Sequence, residues 1–465
     1  MKEAKRKGKA VVVGGSIAGL SCAHALIAAG WEVVVLEKTS SPPTGCATGA
    51  GLGLDPLSQK LIQSWLKQPQ TLELNTLPLI IDQNQATYGD KKINRILTRD
   101  EDFNFRAAYW SDLHSLLCKS LPPHIVRWGH MFLSFIISDD KTRVSIKIKT
   151  LQTGDIIEIV GDLLVAADGC LSSIRQCLFP GLKLRYSGYC AWRGVFDFPD
   201  CENSETVRGL NKAFPDLGRC LYFDMGSKTH TVFYELLNKR INWIWYINQP
   251  EPQLKKIPDI SQNHKYPFGI CFYTTDCVHQ QGIFVKKMQI DLDEGNSVTM
   301  KVSDDMIRKM HEAAESSWLP ELANVIRETK EPFLNVIYDS EPLNRVVWDN
   351  VVLIGDAAHP TTPHGLRSTN MSISDAAVLG KCLEKWGLEN LNLALAEYQS
   401  IRVPVTSEQV LFSRRLGRIK QGLVDHGPLG PITAGLEEFE ELRQKNMPFL
   451  SDAPDILSID CAVDT

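Results

Sequence analysis

Three short stretches carry residue types spaced for chemistry. The first is Gly14, Gly15, Ser16, Ile17, Ala18, Gly19, set between an apolar run at 10–13 and a small-residue segment that ends at Gly30. Outer glycines of a Gly-x-Gly-x-x-Gly turn permit a tight bend and close helix–strand packing, and the turn aims its N–H groups at a pyrophosphate. Ser16 replaces the middle glycine, and its hydroxyl can cap the following helix or donate to a phosphate. Glu37 ends the second apolar run, "WEVVVLE", eighteen residues past Gly19, and Lys38 follows it. A carboxylate there takes a ribose diol and disfavours a 2′-phosphate. The second stretch, "LLVAADGCLSSIRQ", is an apolar strand ending at Asp168 and Gly169, with Arg175 downstream. The third, "VVLIGDAAHPTTPHGLRSTNMSISDA", is an apolar strand ending at Gly355 and Asp356, then a Pro-rich loop, then a helix.

The elements that must position these residues follow from the apolar pattern. Residues 10–37 read as a β-α-β unit. "AAYWSDLHSLLCKSL" reads as a helix stopped by Pro122 and Pro123, followed by the strands "RVSIKIKT", "IIEIVGD" and "LLVAADG". Residues 180–250 read as successive aromatic-rich antiparallel strands, among them "YSGYCAWRGVFDF" and "INWIWYIN". Residues 250–300 read as a polar insertion or long loop. Ser303 and Pro320 each open a helix, and the tail after 420 alternates Gly/Pro turns with a short acidic helix. The expected fold is α/β: a three-layer Rossmann-like nucleotide domain, an inserted mixed or antiparallel-sheet substrate domain, and C-terminal helices. The expected boundaries are 1–75, 105–180 and 340–390 for the nucleotide domain, 76–104 and 181–339 for the substrate domain, and 391–465 for the C-terminal helical segment.

Composition narrows the function. The chain has 465 residues, 43% apolar and 23% charged, with net charge −5. No basic face is implied, so nucleic acid is not an expected partner. "MKEAKRKGK" lacks the apolar core of a secretory signal, and no run of 18 apolar residues predicts a transmembrane helix. Twelve cysteines are scattered without a C-x-x-C pair, which predicts reduced thiols, a cytoplasmic location and no metal site.

In order and spacing, the three stretches resemble the motifs of the FAD-dependent aromatic hydroxylases, the single-component (group A) flavoprotein monooxygenases, which include zeaxanthin-epoxidase-like plant proteins. The resemblance implies bound FAD, with NADPH or NADH as a transient reductant. It implies that the turn at 14–19 meets the FAD pyrophosphate, that Glu37 holds the adenosine ribose, and that Asp356 meets the ribityl chain. Asp168 and Gly169 match the motif where FAD and the nicotinamide meet. Lys38, Arg175, Gly355, Pro363, Gly365, Leu366 and Arg367 lie within the motifs and complete the expected cofactor contacts. Two departures stand out. Trp110 occupies the position where the family carries Arg before Asp-Leu, with Arg106 four residues earlier as a substitute charge. The family's Gly-x-Gly near the ring reads Arg367 and Ser368, with Ser368 and Thr369 left to offer N–H groups and Asn370 at the family's asparagine.

The implied activity is hydroxylation or epoxidation of a small apolar or aromatic, electron-rich substrate by O2 through a flavin hydroperoxide. A helix starting near Ser368 would aim its positive end at the reduced ring. His364 is expected beside the ring as acid/base, since its unperturbed pKa lies near 6.5; the alternative is a loop histidine bonded to backbone. Arg193 in "AWRGVF" either faces the pocket or pairs with an acid. His359 is expected to be structural, and Tyr189, Trp192, Trp243 and Trp245 to be sheet core. Two rival functions remain: a flavin-dependent halogenase, from the W-x-W-x-I core of "NWIWYIN", and a non-catalytic FAD-binding protein, from Trp110 and Ser368.

Overall fold

The computed structural model describes residues 6–43, 50–87, 94–198, 204–252, 299–300 and 302–423, with 439, 442–444 and 455–457. One sheet has six strands in the order Val347–Trp348, Val351–Leu353, Leu163–Ala166, Lys9–Val13, Glu32–Leu36 and Val126–Arg127. All neighbours but the first pair are parallel. Its central strands are continuous apolar runs because both faces are covered. Helices Ile17–Ala28 and Arg367–Trp386 cover one face. They approach closely because Gly380 has no side chain; a Cβ there would sit 2.9 Å from the Ala25 Cβ and carbonyl oxygen. A three-stranded sheet, His130–Ile137, Val144–Thr150 and Ile156–Gly161, adds Val144, Ile146, Ile148 and Ile159 to the same core.

A larger, eight-stranded sheet holds Phe333–Asp339, Arg185–Asp197, Arg240–Asn248, Thr229–Leu236, Cys220–Gly226, Ile81–Thr87 and Asn94–Asp100 in that order after the short Thr299–Met300. It is antiparallel except where Ile81–Thr87 meets Cys220–Gly226. Its back face packs Trp192, Trp243 and Trp245 against helices Glu205–Ala213, Asp304–Ser317 and Pro320–Glu328. The Trp243 indole donates to Thr329 Oγ1 at 2.8 Å. The front face, with Tyr189, Phe223, Val232, Tyr234, Ile244 and Tyr246, meets Phe105 and Ala107 of a small sheet formed by Gly51–Leu54, Phe105–Tyr109 and Thr76–Leu79.

Ser303 caps its helix through Met306 N–H at 3.3 Å, and Pro320 opens the next one, as the sequence predicts. The helix expected from Ala107 starts at Trp110 instead. Ala107 and Ala108 complete a strand between Gly51–Leu54 and Thr76–Leu79. Residues 253–298, most of the expected insertion, and most of the tail lie outside the described residues. Helix Leu391–Lys420 returns across the molecule to the front face of the large sheet, where Lys420 Nζ stands 3.5 Å from the Phe223 ring centroid. Among the described residues, no helix is long and apolar enough to cross a membrane.

Candidate active site

The first turn is fixed by sterics. Gly14 has φ +108°, and a Cβ there would lie 2.2 Å from the Ala167 carbonyl oxygen; one on Gly19 would lie 1.8 Å from that of Gly14. Glu37 accepts Gly15 N–H at 2.7 Å and Thr39 N–H at 2.9 Å. The carboxylate is thereby held at the turn with lone pairs to spare. Ser16 occupies the N-cap of helix Ile17–Ala28 with extended backbone, yet its hydroxyl makes no capping bond and is exposed. Of the two roles open to that hydroxyl, the structure omits the cap. Lys38 is exposed.

The turn has a brace that sequence reasoning missed. His114, buried in helix Trp110–Ser120, bonds the Gly15 carbonyl through Nε2 at 2.8 Å. Burial lowers its pKa, so the neutral ring donates there. The Trp110 ring lies 5.0 Å from that of His114, which makes Trp110 a packing support for the turn. Arg106 is bonded to the neighbouring residues Glu73 and Thr76. Its Nε donates to Thr76 Oγ1 at 2.6 Å, and its Nη2 donates to the Thr76 and Glu73 carbonyls at 2.9 and 3.1 Å.

The second motif is tied to the third. Asp168 accepts from Ser172 Oγ at 2.5 Å and from the N–H groups of Ser173 and Ile174 at 2.8 and 3.2 Å. Burial pushes its carboxyl up, against the pull of those bonds. Gly169 has φ +80° and open space where a side chain would stand. Arg175, expected as a cofactor contact, spends its guanidinium on protein. Nη1 donates to the Asp356 and Ala357 carbonyls at 3.0 Å, and Nη2 donates to the Cys170 carbonyl.

The third motif closes on the first. A Cβ on Gly355 would sit 3.0 Å from the Ala18 Cβ. Asp356 accepts from Ser368 Oγ at 2.6 Å. Beneath it, buried Asp375 accepts Gly355 N–H at 2.9 Å and Arg402 Nε at 2.7 Å, and it bonds His359 Nε2 at 2.6 Å. His359 is thus structural; Asp375 and Arg402 are supports the sequence reading did not single out. The long helix starts at Arg367, one residue before the expected Ser368, after Leu366 in a left-handed conformation (φ +56°). Residues 367–369 present first-turn N–H groups that have no acceptor within the helix; Ser368 and Thr369 among them are half-buried, as is Pro363 in the preceding loop. Asn370 bonds the Gly53 carbonyl at 2.8 Å and Asp55 N–H at 3.1 Å. Arg367, buried, pairs with Asp55 at 2.7 Å.

The preceding loop, with Gly365 at φ +88°, places His364 over the front face of the large sheet. Its Nδ1 lies 3.3 Å from Tyr189 Oη and from Thr362 Oγ1. The His364, His230 and Tyr246 rings cluster within 4.4–5.2 Å of one another. Burial, with His230, Lys420 and Arg193 nearby, drives the His364 pKa well below its ordinary value. The ring is therefore neutral, and the unperturbed value assumed for acid/base work does not hold. Arg193 stands on this face and hydrogen-bonds Tyr246. The face abuts the small sheet, since Gly51 N–H donates to Asn242 Oδ1 at 2.7 Å.

A family model described as FAD dependent oxidoreductase matches residues 9–159. The chain is 23% identical to 6-hydroxynicotinate 3-monooxygenase of Pseudomonas fluorescens, over 85% of this chain and 88% of that protein. It is 25% identical to 2,6-dihydroxypyridine 3-monooxygenase of Paenarthrobacter nicotinovorans, over 80% and 82% of the two chains. The fold matches Klebsiella pneumoniae HpxO, solved with FAD and uric acid, with a TM-score of 0.67 and 19% identity over 95% and 93% of the two chains.

Proposed function

We propose, from the premise that this chain carries an FAD-dependent oxidoreductase domain and has FAD-dependent aromatic monooxygenases as its relatives, that it inserts one oxygen atom of O2 into a small electron-rich aromatic substrate, with NADPH or NADH as reductant. The observation that carries this reading is the convergence of the three motifs, with Gly355 seated on Ala18 and Arg175 bonded to the Asp356 and Ala357 carbonyls. The residues fit the cofactor. The turn at 14–19 has no room for side chains at its outer positions, its first helical N–H groups are uncapped, and a carboxylate waits beside it.

When bound, FAD supplies the redox chemistry: hydride acceptance and oxygen activation. The chain supplies position and field. The N–H groups at 16–19 bind the pyrophosphate, Glu37 the ribose and Asp356 the ribityl chain. The N-terminal end of helix Arg367–Trp386 would favour negative charge on a bound flavin. Asp168 and Gly169 shape the approach of the nicotinamide. His364 hydrogen-bonds the substrate, and the large sheet and helix Leu391–Lys420 exclude water from it.

Hydroxylation is favoured over halogenation because Trp243 and Trp245 lie on the back face of the sheet, away from the motifs. The non-catalytic reading loses its ground as well, since Trp110 and Ser368 both have local roles. The proposed domain division keeps the expected boundaries, with one change: the helical segment from 391 lines the site. The buried, unpaired Cys22, Cys190, Cys220 and Cys382 support a reducing, cytoplasmic setting. The test is turnover under isotopically labelled dioxygen. Product should carry one labelled atom; label arriving only from water would overturn the reading.

A further inference from the structure

The outer face of the three-stranded sheet breaks the pattern of an open antiparallel sheet. Its inner face buries Phe135, Val144, Ile146, Ile148 and Ile159, so the other face should be polar where it meets water. In register, that face instead sets out Ile136, Ser145 and Val160 in one row, Ser134, Lys147 and Glu158 in the next, and Met131, Lys149 and Ile156 in a third. Of eleven exposed large apolar side chains among the described residues, five stand on this sheet: Leu133, Ile136, Ile156, Ile157 and Val160. They are 37–53% exposed. Single exposed apolar residues are ordinary, but a cluster of them marks an interaction surface.

A cationic cleft adjoins this face. It encloses about 470 Å³ between the N-terminal segment and the edge strand Ile156–Gly161, and Val160 belongs to both cleft and face. Arg6, Lys7, Lys9 and Arg143 line it, with Glu32 and Asp162. Asp162 is already spent: its carboxylate accepts from Arg6 Nη2 at 2.6 Å and from Lys9 N–H at 2.8 Å. Lys7, Lys9 and Arg143 then stand against one acid, Glu32. Acids of the sheet itself are turned onto neighbours. Glu158 accepts from Ser145 Oγ, and Asp140 accepts from Ser138 Oγ and from Thr142 N–H and Oγ1. The chain as a whole carries −5, so this positive region is local, and it would turn this end of the molecule toward an anionic surface.

We propose that this face docks on an anionic membrane surface, with Ile136, Ile156 and Val160 entering the headgroup boundary and Lys7, Lys9 and Arg143 meeting the lipid anions. The interleaved lysines suit that boundary. The stems of Lys147 and Lys149 can lie along the neighbouring apolar side chains while their ammonium groups reach the headgroups. Neither force is strong by itself. A few aliphatic side chains give marginal, reversible binding, and each cation near an anionic leaflet adds a further increment. The result is a peripheral, salt-sensitive association that does not depend on the monooxygenase reading.

The test sediments the full chain with vesicles of phosphatidylcholine alone and with vesicles of equal parts phosphatidylcholine and phosphatidylserine, at low and at high salt. At low salt, binding to the anionic vesicles should exceed binding to the neutral ones by about 10-fold or more, and it should fall as salt screens the lipid charge. Lys7→Glu with Arg143→Glu should abolish the preference for anionic vesicles. Ile136→Ser with Val160→Ser should weaken binding to them at least about 10-fold. Leu74→Ser, at a still more exposed apolar position outside the sheet, should bind as wild type does. No binding to anionic vesicles, equal binding to the two compositions, or a preference that survives the charge reversal overturns the proposal. A vesicle-free dimer that Ile136→Ser with Val160→Ser dissociates also overturns it, and assigns the face to a second copy of the chain. The wild-type comparison of the two compositions stands even where a variant fails to fold. Failure to take up FAD would strike the monooxygenase reading alone.

Discussion

Asp375→Asn should destabilise the protein by removing the charge at the centre of the third motif's foundation. Asp375 accepts from Gly355 N–H and Arg402 Nε at 2.9 and 2.7 Å and bonds His359 Nε2 at 2.6 Å, all in the core. Charge-assisted bonds contribute about 1.5–3 kcal/mol each, but members of one network do not add. The better guide is the cost of leaving a buried cation without its partner, about 3–5 kcal/mol; Arg402 is only 4% exposed. For a cooperative unit of about 200 residues that loss lowers the thermal midpoint by roughly 6–12 °C. The double variant Asp375→Asn with Arg402→Met should recover part of the loss, because it removes the stranded charge. Acid adds a second reading. Burial alone would raise the Asp375 carboxyl, but His359, Arg402 and the Gly355 N–H outweigh burial and hold it well below the usual range. The unfolded chain then binds that proton more readily than the folded chain does. The stabilisation is complete above the ordinary aspartate value near 3.9 and is lost as the pH falls below it. Wild type should lose more stability than Asp375→Asn between about pH 4 and pH 2. A single variant within about 1 kcal/mol of wild type, or a double variant no better than the single, would refute the reasoning.

Asp356→Ala should weaken FAD binding by about 1.5–3 kcal/mol, roughly 10–150-fold, with little change in thermal midpoint; titration of apoprotein with FAD measures both arms. Ser16→Gly should cost at most a few tenths of a kcal/mol in stability, since no capping bond is lost. FAD should bind it as tightly as wild type or more so, and a strongly raised Kd would assign the hydroxyl to a phosphate. His364→Ala should slow oxygen transfer about 10²-fold or more while flavin reduction keeps its rate; stopped-flow spectra separate the two, and equal loss in both would assign His364 to folding or cofactor binding.

The first β-α-β unit was legible because its determinants are local. Val11, Val12 and Val13 announce a strand buried on both faces, and Gly14 and Gly19 announce a turn that admits no side chain. The strand Ile81–Thr87 was not legible. Its sequence, IDQNQAT, is polar, yet every residue is buried. Its side chains are satisfied by remote partners: Asn84 bonds Thr98 Oγ1, and Thr87 bonds Asp224. Such burial leaves no alternation to read. The same holds for the braces of the site. His114 reaches Gly15 across 99 positions and Arg367 reaches Asp55 across 312. Asp375 had one faint signal, a lone acid in the apolar middle of its helix. The contact residues lie in the motifs, whereas the residues that hold the motifs lie where packing brings them.

His364 shows how far that distinction reaches into chemistry. The loop before helix Arg367–Trp386 carries it over the front face of the large sheet. Its protonation state depends on the company the fold gives it. Tyr189, Tyr246 and His230 enclose the ring, and helix Leu391–Lys420 passes so close that a Cβ on Gly417 would lie 2.7 Å from Nδ1. With water excluded and Arg193 and Lys420 on the same side, protonation is suppressed. A neutral imidazole cannot serve as a proton donor of ordinary acidity, but it can accept. When Nδ1–H donates to Thr362 Oγ1, Nε2 is left as a bare acceptor without a protein partner. Burial is the largest cause of that suppression, with the neighbouring groups adding to it. The contribution of His364 that follows from the structure is therefore acceptance of a hydrogen bond at Nε2 by a neutral ring.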